Sequence, residues 1–64
     1  MMLERPAWAA EVKVYDRLFW LSYTWGVDVI VDGFTASGRV RLHEAYSGER
    51  HVVTWTYLRP SLRW

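Results

Sequence analysis

The 64-residue chain contains no cysteine, an absence that excludes disulfide reinforcement, thiol nucleophiles and thiolate metal sites together, and leaves the redox compartment open. Long apolar runs are missing too. The longest span four or five residues, against the roughly 20 a helix needs to cross a bilayer. The opening Met1-Met2-Leu3-Glu4-Arg5-Pro6 lacks the basic-then-apolar order of a signal peptide. No internal repeat, low-complexity tract or linker divides the chain. These absences together predict one soluble cytoplasmic domain, residues 1–64, without a membrane partner. A strong charge of either sign is also lacking, since the net charge is +1, which weighs against a strong nucleic-acid binder.

What is present is apolar and aromatic. Hydrophobic residues make up 52% of the chain and aromatic residues 17%, including five Trp, a composition that excludes a disordered tail. A domain this short buries only about 60% of its unfolded surface, so its core needs dense packing or self-association. Homo-oligomerisation is therefore one expected source of stability. Residues 1–32 hold three cations against five acids, and residues 33–64 five against two, giving halves of −2 and +3. Seven of the eight cations are Arg, the residue suited to planar, bidentate or stacked recognition. A GC-rich coding sequence would favour Arg over Lys equally.

Three β segments stand out in the C-terminal half. Val27 to Val31 alternates and meets Asp32-Gly33; Phe34, Ala36, Val40 and Leu42 share one parity; and Val52 to Tyr57 is β-branched and aromatic after Ser47-Gly48. Closing the first hairpin on Asp32-Gly33 sets Val31 opposite Phe34, Val29 opposite Ala36 and Val27 opposite Gly38. Closing the second on Ser47-Gly48 sets Leu42 opposite Val53, Val40 opposite Trp55 and Gly38 opposite Tyr57. Both turns give the middle strand the same apolar face, which a one-residue slip would destroy. Gly38 leaves room for a bend in that strand.

The N-terminal third supports two readings. As a helix over about residues 6–21, Ala7, Trp8, Val12, Val14, Tyr15, Leu18, Phe19 and Leu21 fall on one half of the wheel, opposite Ala9, Ala10, Lys13, Asp16, Arg17 and Trp20. Pro6 and Gly26 suit its ends. As a strand, Phe19, Leu21, Tyr23 and Trp25 alternate, but the phase breaks at Asp16-Arg17. The helix is preferred. The expected fold class is thus β-rich α+β: an N-terminal helix packed on an antiparallel three- to four-stranded meander. Ser61 to Trp64 would supply a short edge strand beyond Arg59-Pro60.

Catalytic parts are sparse. His43 and His51 have opposite parities and cannot share a metal ion. Glu44 and His51 face each other, but one carboxylate and one imidazole are too few ligands for a metal centre. Nucleophile motifs, paired carboxylates and phosphate loops are absent, and no cofactor is implied. The reading is of a non-enzyme.

Binding chemistry is better supplied. The outward parity carries Arg39, Arg41 and His43, with Thr56, Thr54 and Val52 opposite and Arg50 at the end of the same face. An ordinary solvated face, its arginines neutralised by Asp28 and Asp32, fits the same pattern. Trp20, Tyr46 and Trp64 are the aromatics the core explains least. Such residues dominate protein interfaces and also stack on unpaired bases. A protein partner (for a regulator, adaptor or inhibitor) is favoured, with RNA or single-stranded DNA on the same face as the alternative.

The run Val27-Asp28-Val29-Ile30-Val31-Asp32-Gly33, then Phe34-Thr35-Ala36-Ser37, then Gly38-Arg39-Val40 resembles the first motif of the Sm-like RNA-binding fold. The resemblance implies a helix followed by a small, bent-sheet SH3-like or Sm-like barrel. The loop Glu44-Ala45-Tyr46-Ser47-Gly48 lacks the Asp/Asn pattern of the Sm-like base pocket, so no binding residue is carried over.

Overall fold

A computed structural model describes residues 5–22 and 25–61. Five antiparallel strands form one sheet: β1 (Arg17–Ser22), β2 (Trp25–Phe34), β3 (Val40–Glu44), β4 (Arg50–Val53) and β5 (Leu58–Pro60), in the order β4-β3-β2-β1-β5. Single 3-10 turns, Ala7–Ala9 and Trp55–Tyr57, are the helical elements of the described residues. None is long and apolar enough to cross a membrane.

The expected N-terminal helix is not formed. Its segment is rich in Val, Tyr, Phe and Trp, all poorer helix formers than Ala or Leu, and the chain leaves helical geometry at Tyr15, whose φ is +77°. Lys13 N–H donates to Asp16 Oδ2 at 3.0 Å, closing a turn in place of a helix. The phase break at Asp16-Arg17 marks where β1 begins. Leu18 and Trp20 pair with Val29 and Val27 on one side and with Pro60 and Leu58 on the other. Ala9, assigned to the polar half of the wheel, is fully buried, while Tyr15 is 83% exposed.

The first hairpin does not close on Asp32-Gly33. Val31 lies opposite Leu42, Gly33 opposite Arg41 and Phe34 opposite Val40, with a bulge between Val31 and Gly33. The reversal comes later, between Thr35 and Arg39. There Thr35 N–H donates to the Arg39 carbonyl at 2.9 Å and Gly38, at φ +91°, donates to the Thr35 carbonyl at 3.0 Å. Gly38 therefore serves the turn, not a bend in the middle of a strand. The extra residue lets Val31 and Phe34, three apart, share the inner side of β2, and bulges of this kind add twist and bend to a strand.

The second hairpin pairs Val40 with Val53, Arg41 with Val52, Leu42 with His51 and His43 with Arg50. This register is two residues from the expected one, so every β3 and β4 side chain keeps its predicted face. Trp55 leaves the ladder and enters the 3-10 turn, buried all the same. An edge strand lies at Leu58–Pro60, with Pro60 tolerated because one side of β5 is unpaired, whereas the edge strand expected at Ser61 to Trp64 falls beyond Ser61 outside the described residues.

The core is Ala9, Leu18, Val29, Val31, Val40, Leu42, Trp55 and Leu58, with Val12, Trp20 and Val53 packed against it. Full burial of Leu42 and Leu58 contributes about 1.5–3 kcal/mol each. Trp8 and Phe34 flank Trp55, edge-on at 5.8 Å and stacked at 6.1 Å. The Arg5 guanidinium lies 4.6 Å above Phe34 and 5.2 Å from Trp55. It also donates to the carbonyls of Ala9, Ala10 and Val12 at 3.3–3.4 Å, holding the N-terminal segment over this end of the core. The sheet curls enough to bring the rings of Trp20 on β1 and His51 on β4 within 4.5 Å across its inner face. Its edge strands, β4 and β5, do not pair, so the barrel is not closed.

Candidate functional site

The register divides the predicted binding residues between two places. Arg41 on β3 and Arg50 on β4 are exposed on the outer face, and one cross-strand row runs Arg17, Ile30, His43, Arg50. Thr54 and Thr56 do not stand opposite these arginines. Val52 takes the position opposite Arg41, because Thr54 lies just beyond β4 and Thr56 sits in the 3-10 turn. The expected Arg/Thr face is therefore an Arg/Val face.

Asp32, projecting from the bulge, accepts from no arginine among the described residues. Its Oδ1 lies 2.8 Å from His43 Nδ1, which ties His43 down. All ion pairs among the described residues involve a histidine. Arg5 and Arg59 spend their guanidinium groups on backbone carbonyls, Arg59 on those of Thr56 and Leu58. The side chains of Arg17, Arg39, Arg41 and Arg50 make no hydrogen bond or ion pair with another described residue. Neutralisation by Asp28 and Asp32, the bland expectation, is not what the geometry provides.

The second place is an open groove of about 830 Å³ lined by Trp20, Leu21, Arg39, Val52, Val53, Thr54 and Tyr57. It runs beside the unpaired edge of β4, where closure of the barrel stops. Three of the predicted residues meet here: Trp20, Arg39 and Thr54. Trp20 also packs against the core, which explains it better than the sequence did. Tyr57, 55% exposed, was placed in a strand interior by sequence reasoning and belongs to the groove instead. Its position after Trp55 in an aromatic run that ends before Leu58 hid the switch from strand to 3-10 turn. Tyr46, 82% exposed, stands apart in the β3–β4 turn, and Trp64 lies outside the described residues.

That turn gathers a third group. Residues 45–48 connect Glu44 to Glu49, with Gly48 at φ +77° donating to the Glu44 carbonyl at 2.9 Å. His51 Nε2 is 2.7 Å from Glu44 Oε2 and 3.3 Å from Glu49 Oε2. Ser47 Oγ donates to Glu44 Oε1 at 3.2 Å. The hydroxyl thus contacts the carboxylate and not the imidazole, whereas nucleophile activation needs the imidazole next to the hydroxyl. His43 and His51 lie on opposite faces of the sheet, as their parity requires. Glu49, the third member, was missed because the expected two-residue turn put it opposite Tyr46.

Compared with known protein families, curated proteins and solved structures, the chain matches none.

Proposed function

We propose that this protein is a non-enzymatic binding module that holds a segment of another protein in the groove beside β4. The observation that carries this reading is the groove's lining. Trp20, Leu21, Val52 and Tyr57 give it apolar and aromatic walls; among the described residues Arg39 gives it one cation without a carboxylate partner, and none of those lining it is acidic. Aromatic side chains and Arg are the usual anchors of protein interfaces, and a free strand edge accepts an added strand through its backbone groups. An extended segment with apolar side chains and an acidic residue complements all three features. Regulator, adaptor or inhibitor are the roles open to such a module. The scaffold is read as an incompletely closed SH3-like barrel, supported by the strand order, the bulge that bends β2 and the 3-10 turn between β4 and β5.

Affinity capture from the native host with separate variants tests the reading. Arg39→Glu and Tyr57→Ala should each weaken retention of the same protein at least about tenfold, about 1.4 kcal/mol. Arg41→Glu with Arg50→Glu, on the outer face, should leave it intact. Retention unaffected by either groove variant would remove the groove from consideration.

The alternative, RNA or single-stranded DNA on the outer face, draws on Arg17, Arg41 and Arg50, which have no carboxylate partner among the described residues. Three phosphate contacts would give a log–log salt slope of about −2. Anisotropy of short labelled oligonucleotides at two salt concentrations measures it; no binding at low salt ends this reading.

A further inference from the structure

We infer that the β3–β4 hairpin carries a binding site for a divalent transition-metal ion of the Zn²⁺ type, held by Glu44, Glu49 and His51. The three ligand atoms lie within 4.8 Å of one another. Ligands 2.0–2.1 Å from a tetrahedral ion stand roughly 3.3 Å apart. The separations of His51 Nε2 from Glu44 Oε2 and Glu49 Oε2, 2.7 and 3.3 Å, already approach that spacing. Those two separations differ from it by fractions of an ångström, and the Glu44 and Glu49 oxygens lie no more than 4.8 Å apart.

Charge points the same way. A neutral imidazole offers Nε2 one proton at most, and Glu44 and Glu49 both converge on it. No Arg or Lys among the described residues pairs with either carboxylate. With neutral His51 the cluster carries −2, and with protonated His51 it still carries −1. A dication bound to neutral His51 brings it to zero.

The ligands are also held. Glu44 ends β3 and His51 sits in β4, their side chains each 23% exposed. The Trp20 ring packs against the imidazole at 4.5 Å. Ser47 Oγ holds the second oxygen of Glu44, the outer-shell contact that orients a ligating carboxylate. Glu49 is 66% exposed and completes the set from the turn, leaving the remaining coordination positions open to water or to a ligand brought by a partner. One imidazole and two carboxylates suit Zn²⁺ or a neighbouring first-row ion. Ca²⁺ takes six to eight oxygen ligands, more than this hairpin presents.

The test is calorimetric titration of the 64-residue chain with Zn²⁺ in a non-chelating buffer, with ring-proton spectra of both histidines. The expected result is one saturable site per chain, loss of the His51 ring signals from their free positions, and no change at His43. Glu49→Gln and Glu44→Gln should each lower affinity at least about tenfold. Glu49→Gln removes an exposed ligand without touching the core, so its denaturation curve without metal should match the parent's. Binding should weaken as pH falls, because protons compete with the metal for imidazole and carboxylate ligands. Absence of saturable binding overturns the inference. So does binding that shifts His43, that survives both Gln variants unchanged, or that Ca²⁺ displaces at equal concentration.

Discussion

Alanine introduced at Gly33 and alanine introduced at Gly38 should move stability in opposite directions, and the size of each effect follows from local backbone geometry. At Gly33 the φ is not positive, and a Cβ would find nothing within 4 Å. The dominant effect there is the smaller conformational freedom of the unfolded chain, so Gly33→Ala should stabilise by about 0.4–1 kcal/mol. At Gly38 the φ is +91°. An L side chain held in left-handed geometry costs about 1–2 kcal/mol. The unfolded-state gain offsets part of this, leaving Gly38→Ala destabilised by about 1 kcal/mol. The two variants should therefore differ by about 1.5–2 kcal/mol, from a total stability on the order of 3–10 kcal/mol for a chain of this length. Urea titration followed by tryptophan fluorescence resolves such a gap at constant m-value, and thermal midpoints should separate by roughly 6–16 °C. A hairpin closed on Asp32-Gly33 makes the opposite demand, since its turn would need left-handed geometry at Gly33. Loss of more than 1 kcal/mol at Gly33 with no loss at Gly38 would refute the observed register.

Three further substitutions probe other parts of the fold. Gly26→Ala would drive a Cβ into Cε2 and Cζ of the Phe19 ring, so the ring must leave its seat on β2; a loss of about 1–3 kcal/mol is expected. Phe19→Ala should erase most of the further cost of Gly26→Ala in a double-mutant cycle, and strict additivity would count against the contact. Tyr15→Gly should be neutral or stabilise by up to about 1 kcal/mol, because it relieves the positive φ of a side chain that is 83% exposed; a loss above 1 kcal/mol in the same urea assay contradicts this. Arg5→Ala should cost about 1 kcal/mol through the lost contacts with Phe34 and Trp55 and with three carbonyls. Arg5→Lys should not restore it, since one ammonium cannot reproduce the planar fork. Recovery with Lys would show that charge alone was at work.

The alternation of Val27 to Val31 and of Val40 to Leu42 was enough to identify two strands and their buried side, because faces survive any register error of two residues. The bulge was not legible. Asp32-Gly33 is a strong turn signal at the level of two residues, and only the competing turn at Thr35–Arg39 displaces it. The N-terminal segment failed for a related reason. A stripe of apolar residues fits a helical wheel or a strand when the run is short, and pairing on both sides of β1 decided for the strand. Sequence found Trp20, Arg39 and Thr54 as candidates but did not bring the three together, since the groove they share depends on the curl of the whole sheet. Glu49 joins Glu44 and His51 only once the four-residue turn is known. That His43 and His51 face apart was legible, because it needs parity alone.

Consecutive strands β1 to β4 lie side by side, but β5 returns to the far side of β1, where Trp20 meets Leu58 across 38 positions of chain. Three hairpins can therefore form as local events, while one edge of β1 waits for a segment made much later. During synthesis that edge stands open with Leu18 and Trp20 beside it until β5 has emerged. An open apolar edge is a template for pairing between chains. The slow, distant step thus closes the interval in which this small sheet is most prone to pair with itself. Proteolytic removal of Leu58–Pro60 would return the folded protein to that vulnerable stage.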